Sequence, residues 1–356
     1  MLVSKLAVLL VAWVAGLSGA AAPPAPVAPS AAVAPSVTCS VSALPVRSPS
    51  VVPLLNTPAV ISGQLCLPTG AAPSAVQLLV HGGTYNRAYW DLPYQPDQYS
   101  YQRDMAKHGY ATFAVDVLGS GQSSHPLSLP LTVWAEAEAL HEVVGQLRAG
   151  AVGGIHFAKV VIIGHSVGSG IVASEASTYK DVDGVGLTGM THIPSIPALG
   201  LGVAFGLVPA FLSSVKNAGD PLYFTTLPGA RGPLFYNSAD ADPNAIAADE
   251  ATKDQVSVPG MGTVAVFGIV VPVTLGINVP VLQAVGQDDV LFCGLLALRD
   301  CSSASALRAQ EAPFYSAAAQ LSVYVLPNAG HSIALHKNAG DYRDATRAWL
   351  SRQLGI

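Results

Sequence analysis

From residue 59 onward the chain alternates two kinds of pattern. Short β-branched apolar runs span Ala75 to His81, Tyr110 to Val117, Lys159 to Gly164, Gly184 to Met190, Val279 to Gly286 and Leu321 to Pro327, each bounded by glycine, proline or polar residues. They do not alternate apolar with polar positions, which is how strands covered on both faces read. Ala59 to Pro68 is expected as an antiparallel edge strand. Helical segments fall between several of the strands: Leu131 to Arg148, Gly168 to Thr178, Ala304 to Leu321 and Asp341 to Leu354. Strands alternating with helices predict an α/β fold, a mostly parallel central sheet flanked by helices.

The rhythm fails between Met190 and about Asn278, far too long a stretch for an ordinary connection. It opens with the almost uncharged "HIPSIPALGLGVAFGLVPAFLSSV" and closes with "PGMGTVAVFGIVVPVTLG". Pro194, Pro197, Pro209 and several glycines argue against a membrane span. The expectation is an inserted cap over 191–278 with an apolar inner wall, and a core over 59–190 and 279–356.

The amino terminus reads as an export signal over 1–22. Met1 to Lys5 carries one positive charge, Leu6 to Leu17 is apolar, and cleavage after Ala22 leaves Ala20 and Ala22 at the small-residue positions. The apolar core is shorter than the ~20 residues of a spanning helix, so no stable membrane span is expected after cleavage. Residues 23–58, opening "PPAPVAPSAAVAPS", are expected to be an extended Pro/Ala-rich leader.

Composition narrows the partners. Of 356 residues 51% are hydrophobic and 11% charged, with net charge -5, which excludes a disordered chain. No Lys/Arg run could track a phosphate backbone, so nucleic acid is not an expected partner. Four cysteines in an exported chain favour disulfides, and proximity favours Cys39–Cys66 and Cys293–Cys301. No CxxC or clustered histidine accompanies them, so no metal site is expected.

The chemistry gathers at strand ends. Gly164, Ser166 and Gly168 in "VVIIGHSVGSG" fit G-x-S-x-G between a strand and a helix, the setting of a strained turn that raises a serine nucleophile. Such a hydroxyl needs a base. His331, in "LPNAGHS" after the last strand, is the candidate; His336 is the rival, expected as a surface residue on the helix approach. His165 is expected to point away and pack, and His108, His125, His141, His156 and His192 to fill surface or loop roles. The base needs a carboxylate to fix its tautomer, and "GQDD" offers Asp288 or, better placed three residues beyond Gly286, Asp289. Oxyanion donors are expected from the N–H groups of Val167 and of Gly83 in "HGG". Tyr85, Tyr89 and Trp90 are candidates to line the pocket, while Asp116, Gly119, Gly121 and Ser123 are expected to shape a turn.

Together "HGG" (His81 to Gly83), "DVLGSGQSS" (Asp116 to Ser124), "GHSVG" (Gly164 to Gly168), "GQDD" (Gly286 to Asp289) and "NAGHS" (Asn328 to Ser332) make the chain resemble the α/β-hydrolase superfamily over roughly Val60 to Leu354. The resemblance implies a nucleophile at Ser166, a base at His331, an acid at Asp289 and no cofactor. It does not specify the substrate. The expected activity is hydrolysis of an ester-type bond in a fairly apolar small molecule or lipid-like substrate by a secreted enzyme. A lactonase, thioesterase, amidase or carbon–carbon bond hydrolase would use the same residues, and a non-catalytic carrier of apolar ligands is the reading from a different class.

Overall fold

The computed structural model describes residues 37–49, 56–70, 73–215 and 220–356. The expected signal over 1–22 lies outside the described residues. Among the described residues eleven strands follow in chain order: β1 (Val37–Pro49), β2 (Asn56–Pro68), β3 (Ala75–Val80), β4 (Ala111–Val115), β5 (Lys159–His165), β6 (Gly184–Thr188), β7 (Leu207–Pro209), β8 (Tyr223–Thr226), β9 (Val256–Ser257), β10 (Val281–Gly286) and β11 (Ser322–Leu326). Eight of them form one sheet in the order β1-β2-β4-β3-β5-β6-β10-β11. The pairs β1–β2 and β2–β4 are antiparallel, and all other neighbours are parallel.

Strand β5 explains the unbroken apolar runs. Val160 and Ile162 enter one buried cluster with residues of helices α2 (Val133–Arg148) and α3 (Val167–Tyr179). Val161 and Ile163 enter another, with residues of α1 (Tyr101–Lys107) and α4 (Ala339–Leu354) on the opposite face. Both faces of the sheet are dry, so an alternating pattern would bury polar groups. The one polar residue of β3, Gln77, is fully buried and accepts a 2.6 Å hydrogen bond from the Tyr101 hydroxyl.

Three expectations change. Val37–Pro49, expected within the leader, is the edge strand β1, bridged to β2 by the Cys39–Cys66 disulfide. Ala59 to Pro68 therefore lies one strand in from the edge. The helix expected over Ala304 to Leu321 stops at Glu311, and a 3-10 turn holding Pro313 follows; proline cannot continue the hydrogen-bond ladder. The second disulfide joins Cys293 to Cys301. Among the described residues no helix is long and apolar enough to cross a membrane.

Between β6 and β10 the chain leaves the main sheet. It forms the separate antiparallel sheet β7-β8-β9 and several short helices. The C-terminal ends of β3, β5, β6 and β10 are in register through Val80–Gly164, His165–Thr188 and Thr188–Ala284. The loops leaving these strands therefore emerge along one edge of the sheet.

Candidate active site

Ser166 sits in the turn from β5 into α3 at φ 53° and ψ −120°. Positive φ in a non-glycine residue is strained and persists only where the surroundings enforce it. Ser166 N–H donates to Thr188 O at 2.8 Å, and Thr188 Oγ1 donates to Gly164 O at 2.9 Å. Ser169 Oγ donates to Thr188 O and accepts from Thr188 N, both at 2.9 Å. Thr188 thus fastens the turn from the neighbouring strand. The flanking glycines are required sterically: a Cβ on Gly164 would lie 2.4 Å from Gly168 O, and one on Gly168 would lie 2.3 Å from His81 O.

His331 and Asp289 meet. His331 Nδ1 lies 2.8 Å from Asp289 Oδ2, and the two residues are 1% and 0% exposed. Asp289 Oδ1 accepts from Leu291 N at 2.9 Å, which fixes the carboxylate. Asp288 faces outward and accepts from Asn237 Nδ2 instead. Asp289 is the residue that reaches the imidazole. The His331 ring packs between Phe235 and Phe292, whose centroids are 5.5 and 5.7 Å away. Both phenylalanines also line the cavity onto which Ser166 opens. No hydrogen bond joins the Ser166 hydroxyl to His331 among the described residues; the ring of His165, adjacent to Ser166, is 4.8 Å from that of His331.

The cavity holds about 130 Å³. Gly83, Thr84, Ser166 and Val167 form its floor, and Leu207, Phe235, Val256, Met261 and Val264 of the segment between β6 and β10 supply much of its apolar wall. Val167 is the first residue of α3, so its N–H has no acceptor within the helix. A Cβ on Gly83 would touch Val167 Cγ2 at 3.0 Å, which puts the two expected oxyanion donors on adjoining residues.

The alpha/beta hydrolase family matches residues 77–345, more than half of the chain. The chain belongs to the alpha/beta hydrolase family. No curated protein matches it. Solved structures similar to it include a thermophilic esterase from Thermogutta terrifontis, 21% identical with a TM-score of 0.56, covering 87% of this chain and 98% of that one. An enol-lactonase from Burkholderia xenovorans LB400 is 15% identical with a TM-score of 0.55, covering 83% and 97%. The alpha/beta hydrolase GrgF from Penicillium sp. sh18 is 14% identical with a TM-score of 0.57, covering 89% and 100%. At these identities the likeness is one of fold.

Several site residues of this hydrolase-family chain take other places than the sequence suggested. Tyr85, Tyr89 and Trp90 do not line the cavity; all three are buried behind it. His336 is no surface residue: it is 1% exposed, and its Nε2 accepts from Gly330 N at 2.9 Å and so steadies the loop that carries His331. His192 is also interior, bonded through Nδ1 to Glu311 Oε2 at 2.7 Å. His165 packs, stacked on Tyr89 at 4.2 Å, and its pKa is held well below the ordinary value, first by burial and then by the charge of His331. His81 is locked in the loop before Gly83, with Nδ1 2.8 Å from Gly82 O and Nε2 accepting from Val117 N at 3.1 Å. Asp116 shapes its turn, accepting from Arg87 N at 2.8 Å and Gln122 N at 2.9 Å.

Sequence reasoning also missed a buried ion pair beside the site. Arg231, fully buried, donates through Nε and Nη2 to the two carboxylate oxygens of Asp249, each at 3.0 Å. Its Nη1 donates to Thr84 O at 3.1 Å and to Thr84 Oγ1 at 3.2 Å. Its Cζ lies 3.9 Å from the Tyr85 ring centroid, and the Tyr85 hydroxyl is 2.6 Å from Ser332 Oγ, next to His331. One cation thus ties together the loops of Gly83 and His331.

Proposed function

We propose that the protein is an exported serine hydrolase that cleaves an ester-type bond in a small, apolar substrate. The observation that carries this reading is the buried Asp289–His331 pair, set against the wall of an apolar cavity onto which Ser166 opens. In this mechanism Ser166 Oγ attacks the acyl carbon and passes its proton to His331 Nε2, while Asp289 holds Nδ1–H and stabilises the imidazolium. Val167 and Gly83 N–H groups receive the developing oxyanion. The leaving alkoxide takes the proton from His331, and water, with His331 again as base, hydrolyses the acyl-enzyme.

The segment between β6 and β10 serves as a cap whose inner wall selects the substrate. Leu207, Phe235, Val256, Met261 and Val264 on that wall favour an apolar acyl group. Two disulfides fit an oxidising compartment. A panel of p-nitrophenyl esters of increasing acyl length, run beside lactones and amides, tests the reading. Esters with apolar acyl groups are expected to be hydrolysed faster than the lactones and amides. Failure to hydrolyse any ester, with no labelling of Ser166 by a fluorophosphonate, would overturn it in favour of a carrier.

A further inference from the structure

At the far end of α3 from Ser166, three residues from three elements converge. His141 comes from α2, Glu175 from the last turns of α3, and Asp181 from the loop beyond it. One ligand atom of each lies within 4.8 Å of the other two. His141 Nδ1 is 2.6 Å from Asp181 Oδ2, and the ring is fixed by stacking on Tyr179 at 4.0 Å. Lys180 turns the chain back through left-handed backbone at φ 56°. Arg148 then clamps the Asp181 carbonyl, donating from Nη2 at 2.7 Å and from Nε at 3.2 Å.

What marks the cluster is Glu175. It is fully buried, and neither carboxylate oxygen has a hydrogen-bond partner; Asp181 Oδ1 is also buried without one. Three carboxylate oxygens without donors beside an imidazole are costly unless something positive meets them.

We propose that His141, Glu175 and Asp181 form a binding site for a divalent transition-metal ion of the zinc class. One imidazole and two carboxylates are a borderline nitrogen–oxygen set that suits Zn²⁺ and its neighbours, whereas Ca²⁺ and Mg²⁺ prefer all-oxygen cages. His141 and Asp181 are part-exposed, which gives the ion a way in and leaves room for a water ligand. The site is structural. At 1.5 Å rise per residue it lies roughly 13 Å along α3 from Ser166. Bound metal would cross-link α2, α3 and the approach to β6.

The test uses the full-length chain, treated with a chelator and then dialysed against micromolar ZnCl₂. It is expected to retain one zinc per chain by elemental analysis and to unfold at higher temperature than the chelated protein, with no such rise in CaCl₂ or MgCl₂. Glu175→Gln and His141→Gln are each expected to weaken zinc binding by about tenfold or more. No stoichiometric zinc, an equal rise with Ca²⁺, or zinc binding unchanged in both variants would overturn the proposal. Should Glu175→Gln not fold, His141→Gln, which alters a part-exposed side chain, decides alone.

Discussion

The imidazole of His331 and the carboxylate of Asp289 are joined by a 2.8 Å hydrogen bond in a place where neither is wetted. Forty-two positions separate them in sequence, yet the ends of β10 and β11 bring them together. Such a pair orients the base only while the acceptor is charged and acceptor-only. Asp289→Asn is therefore expected to lower kcat by about 10⁴-fold in an ester assay while the circular dichroism spectrum is retained. Asp288→Asn should leave kcat within about twofold, since that side chain faces solvent. Equal losses in both variants would remove Asp289 from the mechanism.

Ser166→Ala removes the proposed nucleophile and, with it, the single strained hydroxyl of the turn. Turnover of a short p-nitrophenyl ester is expected to fall by about 10⁶-fold. Alanine at φ 53° remains strained, so its thermal midpoint should match the parent within a few degrees. Retained hydrolysis would show that another group attacks.

Much of this was readable from the chain. The β5 run announces a strand buried on both faces, and Gly164 and Gly168 announce a turn that tolerates no side chain. Asp289 suited its loop better than Asp288 because it stands three residues beyond Gly286. The edge strand β1 was not readable: "VTCSVSALPVRSP" carries prolines and follows a Pro/Ala-rich stretch, and only an edge accepts proline so readily. Arg231 and Asp249 were hidden for a different reason. They are 18 residues apart in a segment without periodicity, and isolated charges ordinarily read as solvated. His192 lacked a motif because its partner Glu311 lies 119 positions away, and the Asn237 N–H that also donates to His336 Nε2 lies 99 positions away.

Breaking the Arg231–Asp249 pair strands a buried carboxylate. Arg231→Met is expected to destabilise the protein by about 3–5 kcal/mol in urea unfolding. Adding Asp249→Leu should recover a substantial part of that loss, because no buried charge is then left alone. If the double variant were no more stable than Arg231→Met, the ion pair would not be the source of the effect.

Glu136 predicts a pH dependence of stability. It is buried with Oε2 unpartnered, and burial, only partly offset by a bond from the Leu118 backbone, pushes its carboxyl up to about 8 from 4.5. Between those values the folded chain holds a proton that the unfolded chain releases, so unfolding free energy falls as pH rises from 4.5 to 8. The loss is on the order of a few kcal/mol. Glu136→Gln should flatten this decline, and at pH 8 its denaturation midpoint should exceed that of the parent. A parallel decline in the variant would refute the assignment.

Cys39 and Cys66 close a 27-residue separation across β1 and β2. Replacing both by serine is expected to cost about 3–4 kcal/mol by loop entropy, measured by chemical denaturation. The change should leave the ester assay intact, because β1 lies at the edge of the sheet away from β5. Loss of activity in the still-folded variant would contradict that separation.

The grip of Arg231 on Thr84 has a consequence for how such an enzyme could diversify. The same polypeptide excursion that walls the cavity also anchors the strand-end loop expected to stabilise the oxyanion. Transplanting another excursion onto this scaffold would therefore alter speed and preference together, unless a guanidinium arrived at the same spot.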